Sequence, residues 1–90
     1  MENLTFAGDW LDMDKNTITI TPDGDNKATL LYGSGRGPFT GEIYQLGSPV
    51  ISVDFYDGPQ WDAGQQAGLL DHKNDTITWS NATVWTRIVK

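Results

Sequence analysis

Apolar and polar residues alternate with a period of two along almost the whole chain, and this pattern excludes most folds other than a β-sheet. The run Thr17-Ile18-Thr19-Ile20-Thr21 alternates strictly, and so do residues 50–55 and 76–79. Alternation of this kind places successive side chains on opposite faces of a strand. Apolar residues do not recur at helical spacing for more than one turn, so the sequence predicts an all-β protein.

Turn residues at regular intervals divide the chain into about eight short strands. Asp23-Gly24-Asp25-Asn26 is typical of a turn with positive φ, and Leu46-Gly47-Ser48-Pro49 of a tight reversal. Strands joined in this way favour a single-domain, up-and-down antiparallel β-barrel over residues 1–90. The predicted strands are Thr5–Trp10, Thr17–Thr21, Ala28–Tyr32, Phe39–Leu46, Val50–Tyr56, Gln66–Leu70, Thr76–Trp79 and Thr83–Val89.

Residues near the two chain ends indicate that the sheet closes on itself. The first strand carries Gly8 and Trp10, and the last strand carries Arg87. In a closed barrel these strands are neighbours, and the Arg87 guanidinium can cover the face of the Trp10 indole. Trp85 shares a face with Arg87 and is a second candidate for the stacked ring. Barrels of this kind usually hold or present a ligand.

Composition excludes several functions. The formal net charge of −6 argues against nucleic acid or an anionic membrane as a partner, and no stretch is apolar enough to insert in a bilayer. The absence of cysteine and of a signal-peptide pattern predicts a cytoplasmic protein, although a chain from which a signal has been removed would look the same, and no cofactor or metal is expected. A chain of 90 residues buries little surface, so closure or homo-oligomer formation should help it.

Asp12-x-Asp14-x-Asn16 matches the opening of a calcium loop, but Thr17 stands where that loop needs glycine. An Asp/Asn hairpin turn is the better interpretation. Residues 11–20 (LDMDKNTITI) resemble residues 70–79 (LDHKNDTITW), and two hairpins with the same turn chemistry explain the likeness better than a duplication does. His72 lies in the second of these turns, where we expect no catalytic role.

Two acidic residues, Glu42 and Asp54, fall inside predicted strands. Outward projection is the expectation for both, whereas an acid that projects into a barrel would be a candidate catalytic group. The glycine-rich segment 33–38 precedes a strand rather than a helix, so it is expected to bend the backbone and not to bind phosphate.

The aromatic residues give the strongest functional indication. Trp61 lies in a predicted loop near Tyr56 and Asp57, and Arg36 lies in another loop. An aromatic platform beside carboxylate and amide groups suits sugar rings, which have an apolar face and many hydroxyls. Trp61 could equally fold back as a lid that plugs one barrel end. On the first interpretation, the sequence predicts non-catalytic binding of a saccharide at one barrel end by Trp61, Arg36, Asp57 and Tyr56.

Three other functions remain open at this point. A carrier of a small apolar or aromatic ligand would need a hollow barrel. Its predicted lining is Ile18, Ile20, Ile43, Ile51, Val53 and Phe55. A small barrel enzyme of the cyclase or isomerase type would need Glu42 or Asp54 inside. A protein-binding module would use the acidic surface.

The Gly8-x-Trp10 motif together with Arg87 resembles the signature of the calycin superfamily, which includes lipocalins, fatty-acid-binding proteins and avidins. That resemblance implies an up-and-down barrel that binds a small ligand in its interior. The segment Tyr32-Gly33-Ser34-Gly35-Arg36-Gly37-Pro38 is similar to a motif of the Oscillatoria agglutinin-like lectins, which implies a compact barrel that binds mannose-rich glycans.

Overall fold

A computed structural model describes residues 5–24, 26–45, 49–55, 64–71, 73 and 75–88, with only the backbone at residue 45. Of the predicted binding residues, Tyr56, Asp57 and Trp61 lie outside this described part, and so does His72. No helix in the described ranges is long and apolar enough to cross a membrane.

The chain forms eight β-strands in one closed barrel, as the alternating pattern predicts. Each strand pairs antiparallel with the next along the chain, and the last strand pairs with the first. The strands are β1 (Gly8–Leu11), β2 (Thr17–Pro22), β3 (Lys27–Tyr32), β4 (Phe39–Gln45), β5 (Pro49–Phe55), β6 (Gly64–Leu70), β7 (Thr76–Trp79) and β8 (Val84–Arg87).

The antiparallel order gives the barrel two distinct ends. Described residues that follow odd-numbered strands, at 12–16, 33–38 and 80–83, lie at one end together with Phe55 and Gly64. We call it the pocket end. Segment 5–7 and the described residues of the two turns after β2 and β6, at 23, 24, 26, 71, 73 and 75, lie at the other end, which we call the arginine end.

Side chains fill the interior of the barrel. The inward-facing residues of all eight strands form one continuous hydrophobic cluster, with Ile43 packed against it. Five of the six residues predicted to line a cavity are members, each at most 3% exposed. The cluster contains Phe6, Trp10, Ile18, Ile20, Ala28, Leu30, Tyr32, Phe39, Ile51, Val53, Phe55, Leu70, Ile77, Trp79 and Trp85.

Glycine on two inward-facing strand positions makes room for this packing. A Cβ atom on Gly68 would lie 2.7 Å from Cγ2 of Ile77, and one on Gly41 would lie 2.8 Å from Cδ1 of Ile51. Larger neighbours therefore occupy the space that these two residues leave empty, which is how a narrow barrel accommodates bulky side chains.

The predicted contact between Arg87 and Trp10 closes the arginine end. The Arg87 guanidinium lies 4.2 Å from the centroid of the Trp10 ring, whereas Trp85 packs against Trp79. Arg87 also donates hydrogen bonds to the carbonyls of Ala7 at 2.7 Å and Thr5 at 2.6 Å. Partial burial lowers the pKa of Arg87, and the negative charge of Asp75 opposes that shift.

The first strand begins at Gly8 and not at Thr5 as predicted. The carbonyls of Thr5 and Ala7 accept bonds from Arg87, and the Phe6 carbonyl accepts one from Trp10 Nε1 at 2.9 Å. Segment 5–7 therefore has the composition of a strand but plugs the barrel end.

Both resembling turns are hairpin turns ordered by an aspartate. Asp12 Oδ1 accepts the backbone N–H groups of Asp14 at 2.9 Å and Asn16 at 2.7 Å. Asp71 Oδ1 accepts those of Asp75 at 2.9 Å and Thr76 at 3.1 Å. These bonds confirm the turn interpretation of both sequences. The two turns lie at opposite ends of the barrel, which agrees with independent use of the same chemistry.

Candidate ligand-binding site at the pocket end

A small pocket opens at the pocket end of the barrel, with about 190 Å³ of empty space including its mouth. Most of its walls come from the last inward-facing residue of an odd-numbered strand and from the turn that follows. The lining residues are Tyr32, Phe55, Gln66, Trp79, Asn81, Thr83 and Trp85.

Four aromatic rings form the apolar part of the pocket. Trp79 and Trp85 lie 4.6 Å apart between ring centroids, and Phe55 meets Trp79 edge to face at 5.6 Å. Tyr32 meets Trp85 edge to face at 6.0 Å. All four side chains are buried. Edge-to-face contacts hold rings in fixed orientations, so the floor of the pocket is preorganised.

The amide side chains at the rim are oriented by the turn between β7 and β8. Asn81 Oδ1 accepts the Thr83 hydroxyl at 2.6 Å and the Thr83 N–H at 3.2 Å. Gln66 Oε1 accepts the Ser80 hydroxyl at 2.7 Å. The turn bonds therefore occupy amide oxygens of both side chains, while each amide nitrogen can only donate.

Arg36 lies at the same end of the barrel. Its guanidinium carbon is 4.8 Å from the centroid of the Tyr32 ring, 5.5 Å from that of Phe39 and 5.6 Å from that of Phe55. The Arg36 side chain is half-buried against these rings. The Arg36 carbonyl accepts the Tyr32 N–H at 3.1 Å, and this bond folds the loop back onto the rings.

One buried polar atom in the pocket lining has no hydrogen-bond partner. Nε1 of Trp79 is enclosed and makes no bond to any described residue. Nε1 of Trp10, at the arginine end, is also buried but donates to the Phe6 carbonyl at 2.9 Å. A buried donor without an acceptor costs about 1–3 kcal/mol, so Trp79 Nε1 stands out from the satisfied polar groups of the core.

Of the four predicted binding residues, Arg36 lies within the described ranges; it packs against Tyr32 and Phe55 of the pocket wall but does not itself line the pocket. The other three, Tyr56, Asp57 and Trp61, belong to the chain between Phe55 and Gly64, which are paired with each other at this end. From the sequence, Gln66 was one of the amide groups beside the Trp61 platform, whereas Trp79, Asn81 and Thr83 had no predicted binding role. The signal available for them was the Ser80-Asn81 turn with tryptophan on either side.

The acids considered for catalysis do not face the barrel interior. Glu42 and Asp54 are both exposed on the outer face. Glu42 accepts a hydrogen bond from the Tyr44 hydroxyl at 2.9 Å, and this bond raises the pKa of Tyr44. Within the described ranges, no group of three histidine, cysteine or acidic residues could hold a metal ion.

Comparison of the chain with protein-family models, curated proteins and solved structures finds no match. The closed eight-stranded antiparallel barrel is therefore established by the structure alone, and the likenesses to calycins and to the lectins remain resemblances of short motifs.

Proposed function

We propose that the protein is a non-catalytic binder of a saccharide, which it takes at the pocket end of the barrel. The observation that carries this proposal is the pocket itself, where four aromatic walls meet the amide side chains of Gln66 and Asn81. Apolar ring surface together with planar hydrogen-bonding groups is suited to carbohydrate, which presents C–H faces and hydroxyls side by side.

The pocket is small, and much of its space is open to solvent. A glycan would therefore lie mainly across the rim. Arg36 and the predicted residues Tyr56, Asp57 and Trp61 are the candidates for that outer contact, with Trp61 stacking on a sugar face. Their chain segments begin and end beside the pocket.

An interior ligand of the calycin type has less support. Five of the six residues predicted to line such a cavity belong to the packed hydrophobic cluster, and Ile43 packs against it. A catalytic role for Glu42 or Asp54 inside the barrel also has no support, because both carboxylates are exposed on its outer face.

A glycan array followed by titration calorimetry tests the proposal. We expect the wild-type protein to bind a subset of glycans, and Trp61→Ala and Arg36→Ala to weaken binding about tenfold or more. Lys73→Ala is the matched control, since Lys73 is exposed at the arginine end. A blank array from folded protein, or equal binding by all variants, would contradict the proposal.

A further inference from the structure

We propose that the pocket is a binding site for one water molecule, which accepts a hydrogen bond from Nε1 of Trp79 and donates one to the hydroxyl oxygen of Thr83. The inference does not depend on the proposed saccharide function. It rests on a buried donor, on a buried acceptor beside it in the pocket lining, and on the size of the space that the lining encloses.

The donor is the indole of Trp79. The side chain is 3% exposed, and its Nε1 is enclosed with no acceptor among the described residues. The edge of this indole that carries Cε3 lies at Gly68, where a Cβ atom would come within 3.1 Å of Cδ2 and Cε3. Nε1 is on the opposite long edge of the ring. Buried N–H groups nearly always have a protein or water partner, so this one indicates a bound acceptor.

The acceptor is the hydroxyl of Thr83, which faces Trp79 across the turn between β7 and β8. The Trp79 backbone N–H donates to the Thr83 carbonyl at 2.8 Å, and both residues line the pocket. The Thr83 side chain is buried and donates its own hydroxyl proton to Asn81 Oδ1 at 2.6 Å. Its oxygen retains a lone pair, so towards any further group it acts as an acceptor.

The pocket has room for about one water molecule. Cavities that stay dry are lined by apolar groups, whereas an ordered water needs about two to four polar partners. Here the lining includes polar side chains from Tyr32, Gln66, Asn81 and Thr83 in addition to the Trp79 indole. Both the size and the polarity of the lining therefore suit an ordered water.

Water complements these two groups better than other small species do. The Trp79 N–H can only donate and the Thr83 oxygen is left to accept, and a water molecule can do both. A carboxylate or carbonyl oxygen would satisfy Trp79 but would oppose the Thr83 oxygen. A cation would suit Thr83 but would repel the indole N–H. A single neutral molecule with both an O–H and a lone pair satisfies the pair together.

Nuclear Overhauser spectroscopy between water and the protein tests the inference. We expect a cross-peak between water and the Trp79 indole N–H that has the sign of a direct contact in the rotating frame, which is opposite to that of chemical exchange. The Trp10 indole N–H is the internal control and should show no such peak, because the Phe6 carbonyl already accepts it at 2.9 Å. Trp79→Phe and Trp10→Phe assign the two signals.

Thr83→Val and Thr83→Ser form a matched pair. Valine resembles threonine in shape but offers no acceptor, so the water loses one of its two partners, and we expect the Trp79 cross-peak to be lost. Serine keeps the oxygen and should keep the cross-peak. Asn81→Ala breaks the bond from the Thr83 hydroxyl but leaves the oxygen in place. It should also retain the cross-peak, and it controls for the loss of that bond in the valine variant.

A high-resolution crystal structure gives an independent measurement. We expect one water peak within about 3.2 Å of both Trp79 Nε1 and Thr83 Oγ1. A chain atom in that position, no water peak in well-defined density, an equal water cross-peak from Trp10, or a Trp79 cross-peak that persists in Thr83→Val would overturn the inference. A blank glycan array would count against the saccharide function and would leave the water site unaffected.

Discussion

At the scale of single residues, aspartates define two of the hairpin turns. Asp12 and Asp71 each direct one carboxylate oxygen at two backbone N–H groups of the following turn. This role was predictable from the repeated Leu-Asp pattern and the Thr-Ile-Thr run after it. A turn that opens with aspartate satisfies N–H groups that the strand ladder cannot reach.

The turn bonds of Asp71 make stability depend on pH. Burial alone would raise the pKa of Asp71, but the N–H groups of Asp75 and Thr76 donate to the carboxylate and lower it to about 2. The folded value is below the unfolded one, about 4, so folding favours the ionised form. The contribution is complete above about pH 4 and is lost as the pH falls towards 2.

We therefore expect Asp71→Asn to lower the free energy of unfolding by about 1 kcal/mol at neutral pH, with a difference that shrinks below pH 4. Urea denaturation at several pH values measures it. Asp54→Asn removes the same charge from an exposed site and is the control. A difference that is the same at all pH values would contradict the assignment.

Arg87 acts through both stacking and hydrogen bonds. It covers the Trp10 ring and binds two carbonyls of segment 5–7. We expect Arg87→Ala to destabilise the fold by about 2–4 kcal/mol, and Arg87→Lys to recover less than half of this, because an ammonium cannot both stack and span two carbonyls. Chemical denaturation measures both losses, and full recovery by lysine would refute the role of the planar group.

At the scale of elements, the sequence pattern predicted the number of strands and their antiparallel order correctly. It misplaced the start of the first and of the last strand, where side chains bind backbone groups. Segment 5–7 alternates like a strand, but Arg87 and Trp10 bind its carbonyls. Thr83 was assigned to the last strand, but Asn81 holds it in the turn. Contacts of this kind join residues that are distant in the chain or depend on side-chain direction, so local pattern does not reveal them.

Glycine within a strand usually weakens it, yet Gly68 of β6 is needed for packing. Gly68→Ala would place Cβ 2.7 Å from Ile77 Cγ2 and 3.1 Å from the Trp79 ring. We expect a loss of about 1–3 kcal/mol from overpacking, measured by thermal or chemical unfolding. Gly33→Ala is the control, because its Cβ would make only an ordinary contact with the Thr17 carbonyl at 3.4 Å. An unchanged stability of Gly68→Ala would show that β6 can move outward at little cost.

At the scale of the whole molecule, barrel closure could be anticipated from Gly8, Trp10 and Arg87, but the state of the interior could not. The same inward-facing apolar residues would line a cavity or fill a core. What decides is how closely the strands approach, and this depends on Gly41 and Gly68 facing Ile51 and Ile77. The pocket was likewise hidden, because it forms where the ends of three odd-numbered strands meet.

A filled interior predicts that the folded barrel does not take up an apolar probe. We expect an environment-sensitive fluorophore to show no enhancement with the native protein at neutral pH, because Ile18, Ile51 and Val53 have no exposed surface and belong to the continuous core cluster. Partial denaturation, which loosens the core, supplies the positive control. Saturable enhancement by fully native protein would mean that the core opens to admit a ligand. The carrier function would then become the better explanation of the barrel, and the pocket at its end would be the entrance rather than the site.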